Sequence, residues 1–134
     1  MFLRNFEQAE QQAFIYLANE VIKADSKIDE IELDFLSALQ NEFSEMVEYK
    51  ENQISEEDAI QALAKYSSKV SAIIELIGIA HIDGNYATEE KEYLRGVSQK
   101  LGISEEKFDH LENWVLKQSA LLDEAKHLLS EDVE

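Results

Sequence analysis

The stretch VSAIIELIGIAHIDGNYATEE, residues 70–90, joins the most apolar helical segment of the chain directly to its most suggestive cluster of acids. Between Val70 and Ile82 only Ser71, Glu75 and His81 are polar, so a helix here is apolar around most of its circumference and must be enclosed by the rest of the protein. A bilayer core needs about 20 apolar residues, and this run falls short of that, as a buried core helix would. It stops at Asp83-Gly84, a turn pair.

Outward from this centre, the composition favours helices throughout. The 134 residues contain no Pro and only four Gly, so the strongest breakers are missing, and 45% hydrophobic residues suffice for the core of one domain spanning 1–134. With no Cys there is no disulfide framework, thiolate site or Cys nucleophile. The start MFLRNFEQAEQQ does not read as a signal peptide, and a cytoplasmic location is expected. Net charge is −17, from 29 acids against 12 Lys and Arg, which opposes binding to nucleic acid or anionic lipid. Cations, basic partners or simple solubility remain.

Helical spacing recurs along the chain. Phe6, Ala13, Phe14, Leu17, Ala18, Val21 and Ile22 form one apolar face of a helix running to about Ala24. Asp29 with Glu32 resembles a capping box opening a second helix, buried through Ile31, Phe35, Leu36, Leu39 and Phe43. An acidic connection follows, and Ser55 with Asp58 caps a short helix buried through Ala59, Ile60, Leu63 and Ala64, which YSSK at 66–69 is expected to end. After the Asp83 turn, Tyr93, Leu94, Val97 and Leu101 share a face, Gly102 closes that helix as a left-handed residue, and Ser104 caps the last one. There Phe108, Leu111, Val115, Gln118, Leu122, Ala125 and Leu129 alternate spacings of three and four, so one face should continue to near the end, with a break allowed around Ser119. Trp114 lies off that stripe and is expected to be partly buried.

The segments DSKIDEIELDFL and DGNYATEEKEYL align at a constant offset of 58 residues: Asp25 with Asp83, Glu32 with Glu90, Phe35 with Tyr93 and Leu36 with Leu94. Upstream, Val21 falls on Ile79 and Ala18 on Leu76. A register held through helix, turn and helix predicts a duplicated helical hairpin, its two copies related by a pseudo-twofold axis.

With KADSKIDEIE, HIDGNYATEE and KLGISEE in these places, the chain resembles the TerB-like family of tellurite-resistance proteins over roughly Ala13 to Glu112. The family pattern is an Ala-rich helix, Ala-Asp-Gly, then a Glu seven residues after the Asp, occurring twice. That resemblance implies an all-α bundle of about six to seven helices and an acidic site at Asp25, Glu32, Asp83 and Glu90. Two departures are visible: Ser26 stands where the pattern has Gly, and Ala87 followed by Thr88 shifts the second cap. A Ser held in a left-handed conformation costs about 1 kcal/mol relative to Gly, so the second turn is the better formed.

The glutamates of the repeat sit in first turns, where the helix dipole favours them. Asp25 and Asp83 instead follow helix C-termini, where it does not. Two carboxylates about 5 Å apart repel by roughly 3 kcal/mol at an effective dielectric of 20, so a convergent cluster must bind a cation, protonate or splay. An all-oxygen site suits Ca²⁺, Mg²⁺ or Mn²⁺, with Asp29, Asn85 and Glu89 as outer ligands. An EF-hand loop is excluded, because its twelfth position falls on Leu36 or Leu94 where a Glu is needed. His81, His110 and His127 lie on different helices without a nucleophile partner, and no Gly-rich phosphate loop occurs. The expectation is a non-enzymatic binding module without an organic cofactor, cation-dependent or, alternatively, a protein adaptor whose acids are structural.

Overall fold

The computed structural model describes residues 6–24, 54–81 and 88–130. Among them are five helices and no strand: α1 (Gln8–Lys23), α2 (Glu56–Ala62), α3 (Tyr66–Ala80), α4 (Thr88–Lys100) and α5 (Glu105–Leu128). The helix expected at Ile31 to Phe43 lies outside the described residues, as do both acidic turns, at Asp25 and Asp83.

α3 occupies the centre because its sequence leaves it no wet face. Ala72, Ile73, Leu76, Ile77, Ile79 and Ala80 are all buried, and α1, α4 and α5 pack against it. α1 contributes the predicted stripe in full, from Ala13 to Ile22, and Phe6 sits edge-on to Phe14 with ring centroids 6.0 Å apart. α1 also packs against α2, whose Ala59 is buried, with Leu63 beyond its end.

The caps at Ser55 and Ser104 form as the sequence indicates. The Ser55 hydroxyl accepts from Asp58 N–H at 3.1 Å while an Asp58 carboxylate oxygen accepts from Ser55 N–H at 3.2 Å, and the Ser104 hydroxyl accepts from Lys107 N–H at 3.1 Å. α4 ends in a Schellman turn: Gly102 has φ +82, its N–H donates to the Gln99 carbonyl at 3.0 Å, and Ile103 N–H donates to the Ser98 carbonyl at 2.9 Å. α5 then runs back along α4. Lys91 meets Glu112 at 3.4 Å, while Arg95 lies 3.7 Å from Glu105 and 3.8 Å from Asp109, with its guanidinium over the Phe108 ring.

Three expectations change. YSSK does not interrupt the chain but forms the first turn of α3; the break falls at Leu63 (φ −87, ψ 68) and Lys65, which is extended. Fully buried Leu63 pulls the backbone inward there, and Ser is well accommodated in a first turn, where helical hydrogen bonds are still missing. Ala64, expected inside, is exposed. Finally, α5 is continuous through Ser119, yet its stripe is buried only at Phe108, Leu111 and Val115. At 1.5 Å per residue its 24 residues span about 36 Å, against about 22 Å for the 15 residues of α3, so the far half outruns the helix it packs on. Leu121, Leu122, Leu128 and Leu129 are exposed in consequence. Trp114, at 41% exposure, is partly covered as expected.

Two glycines give a test with opposite signs. A Cβ at Gly96, inside α4, meets nothing within 4 Å, so Gly96→Ala should stabilise by about 0.5–1 kcal/mol through helix propensity. Gly102 is equally uncrowded but left-handed, so Gly102→Ala should destabilise by about 1 kcal/mol from backbone conformation alone. Urea unfolding followed by far-ultraviolet circular dichroism reads both, and equal signs would contradict the assigned turn.

Candidate functional site

α3 delivers its C-terminus to the predicted acidic turn. His81 caps it, its N–H shared between the carbonyls of Ile77 at 3.1 Å and Gly78 at 3.2 Å. The chain re-enters description at Thr88, the first residue of α4, so His81 and the first turn of α4 bracket the turn carrying Asp83 and Asn85.

Of the proposed ligands, Asp25, Asp29, Glu32, Asp83 and Asn85 lie outside the described residues. Glu89 and Glu90 are described and differ sharply. Glu89 is exposed, whereas Glu90 is only 2% exposed on the inner face of α4, one turn before the core residue Leu94. A carboxylate at that depth is costly unless hydrogen-bonded, paired or coordinated. Among the described residues no group of three His, Cys, Asp or Glu is arranged to hold a metal ion.

A second polar constellation was not visible in the sequence. The Glu56 carboxylate, at the start of α2, accepts from Tyr93 Oη at 3.1 Å and meets Lys100 Nζ at 2.7 Å, so one acid ties α2 to two positions on α4 about two turns apart. Glu56, Glu57, Ile60 and Lys100 line a cleft of about 250 Å³ beside it. Burial pushes the Tyr93 phenol well above its ordinary range, and the adjacent Glu56 carboxylate adds to this by charge and by hydrogen bonding, with a smaller contribution from Glu20. A phenol held protonated in this way is a hydrogen-bond donor, not a base. The cluster reads as a clasp between helices. No local pattern announces it, because its members are 37 and 44 residues apart in sequence.

The family model described as tellurite resistance protein TerB matches residues 11–113. That span runs from the first turn of α1 into the middle of α5 and includes both acidic turns. No match was found among the curated proteins or among the solved structures.

The clasp has a pH signature. An unfolded tyrosine titrates at about pH 10, while folded Tyr93 keeps its proton to higher pH, so its contribution is complete below about pH 10 and is lost as pH rises toward the folded value. Tyr93→Phe should therefore cost about 1 kcal/mol near neutrality, for the lost hydrogen bond to Glu56. That difference should shrink on raising the pH beyond about 10. Urea unfolding of both proteins across this range is the measurement; a difference independent of pH would show that Tyr93 is not held protonated by the fold.

Proposed function

We propose, from the premise that this chain belongs to the TerB family of tellurite resistance proteins, that it is a non-enzymatic binding module which takes a divalent cation at its acidic turns. The observation that carries this reading is Glu90, a carboxylate 2% exposed and placed directly after the turn that holds Asp83. A hard cation such as Ca²⁺, Mg²⁺ or Mn²⁺ would offset the desolvation of Glu90 and the unfavourable position of Asp83 beyond the C-terminus of α3. Asp25 and Glu32 are the equivalent pair of the first copy in the duplication we infer, with Asp29, Asn85 and Glu89 as outer ligands. Supporting the duplication, α1 starts at Gln8 and α3 at Tyr66, the same offset of 58 residues that aligns the two turns. The family description suggests a place in a stress response.

A second reading, a protein adaptor whose acids bind no metal, is favoured by the far half of α5. There Leu121, Leu122, Leu128 and Leu129 stand in solvent on a helix that has outrun its support, a surface suited to another protein. No helix among the described residues is long and apolar enough to cross a membrane.

Cation titration separates the readings. With an ion at 100 times its dissociation constant, the wild type should gain about 2.7 kcal/mol of stability, seen as a raised Tm in thermal unfolding. The double variant Asp83→Asn, Glu90→Gln should lose that ion-dependent gain whatever its own stability. Absence of any gain in the wild type, or the same gain in the variant, would overturn the metal reading and leave the adaptor.

A further inference from the structure

α5 keeps an apolar face after it has left the rest of the protein behind. Trp114, Leu121, Leu122, Ala125, Leu128 and Leu129 recur at spacings of three, four and seven, which at 3.6 residues per turn places them within about one third of the helix circumference. Half-buried Gln118 is the one polar residue among them over 114–129. The four leucines are 56–85% exposed, although they continue the face that Leu111 and Val115 bury against the core. Exposed Leu116 stands apart, on the opposite side of the helix.

The charges beside this face are complementary to themselves. Residues 114–130 carry Lys117 and Lys126 against Asp123 and Glu124, so the stretch is neutral on a chain of net charge −17. A second copy can approach here without meeting a surplus of acid. A helix that lies on a membrane is instead rich in Lys and Arg on its polar face, which this one is not. Lys117 and Glu124, both exposed, stand seven residues apart on one edge of the apolar stripe. When two identical helices pair antiparallel about a twofold axis, each edge faces the same edge of the partner, and residue i opposite j requires j opposite i. An axis beside Leu121 therefore sets Lys117 of each copy against the partner's Glu124, two attractive pairs in one dimer. Trp114 then falls opposite the partner's Leu128.

We propose that the far half of α5 is a self-association surface, on which a second copy of this chain lays its own α5 antiparallel. Each copy supplies the support that α3 is too short to give the other. The overlap over 114–129 is about 24 Å long and engages far fewer residues than the 20–30 a side of a standard interface, so the dimer is weak and forms with rising concentration. This takes up the α5 surface of the adaptor reading and names its occupant; it is independent of the cation reading.

The test is sedimentation equilibrium of the full chain over a hundredfold range of concentration, at about 0.15 M ionic strength, where general repulsion between acidic copies is screened beyond about 8 Å. The average mass should rise from that of one chain toward that of two. Leu121→Ser and Leu128→Ser, at exposed positions, should each weaken association by about tenfold or more, while Leu116→Ser, off the stripe, should leave it unchanged. Lys117→Glu and Glu124→Lys should each weaken it too, because like charges then face each other across the axis. An equimolar mixture of those two variants should associate about tenfold more tightly than either alone, since the mixed pair restores opposite charges on both sides. A chain that stays monomeric at the highest concentration would overturn the proposal and leave the α5 face to a different protein. Association that Leu121→Ser does not weaken, or a mixture no tighter than its components, would overturn it as well. None of these outcomes depends on whether the acidic turns bind a cation.

Discussion

The structure depends on one requirement, that α3 be enclosed. A helix with Ile73, Leu76, Ile77 and Ile79 on successive turns and Ala72 and Ala80 between them has no orientation that leaves an apolar face in water without heavy loss, at roughly 25 cal/mol per Å² of apolar area. Neighbours must come from several sides, and α1, α4 and α5 do. Their amphipathic stripes are the complement of this one helix. Small Ala72 and Ala80 are buried in the same cluster as the larger Phe14, Leu94 and Phe108. Surface ion pairs such as Lys91 with Glu112 add little, about 0–1 kcal/mol each, and fix register more than stability.

Enclosing the middle of α3 leaves only its ends as places for chemistry. Each end has a polarity that the backbone supplies before any side chain is chosen: partial positive charge at Tyr66 and partial negative charge at Ala80. At both ends the sequence repeats the sign of the backbone charge: Lys65 stands at the N-cap, with no acid in the first turn, and Asp83 follows the C-terminus. A carboxylate after a helix C-terminus is disfavoured by the dipole, a cost that a bound cation would offset.

Where the fold was legible in sequence, the signal was local. The α1 stripe, the caps at Ser55 and Ser104 and the left-handed Gly102 are decided within four or five residues, and each appears as read. What escaped was decided elsewhere in the chain. YSSK has the composition of a breaker, but buried Leu63 fixes the break three residues earlier. The heptad stripe of α5 is genuine to Leu129, yet burial of its far half required a partner longer than α3, which periodicity cannot reveal. Glu56 looked like one more surface acid because its partners, Tyr93 and Lys100, come from a helix far along the chain. Of the candidate cation site, sequence alone supplied the residues, and the structure adds the depth of Glu90.

The proposed duplication makes the two ends of the module comparable in a further way. At an offset of 58 residues Glu7 corresponds to Lys65 and Glu10 to Ser68. In α1, Glu10 folds back so that its carboxylate accepts from Glu7 N–H at 2.9 Å, closing that helix with its own acid. In α3 the Ser68 side chain at the matching position makes no such bond, and the N-cap, Lys65, has no side-chain cap. Glu7 and Lys65 also meet, at 3.3 Å; were both Glu or both Lys, like charges would face each other there. Opposite charges relieve that contact, so the pair that the proposed duplication sets side by side is attractive.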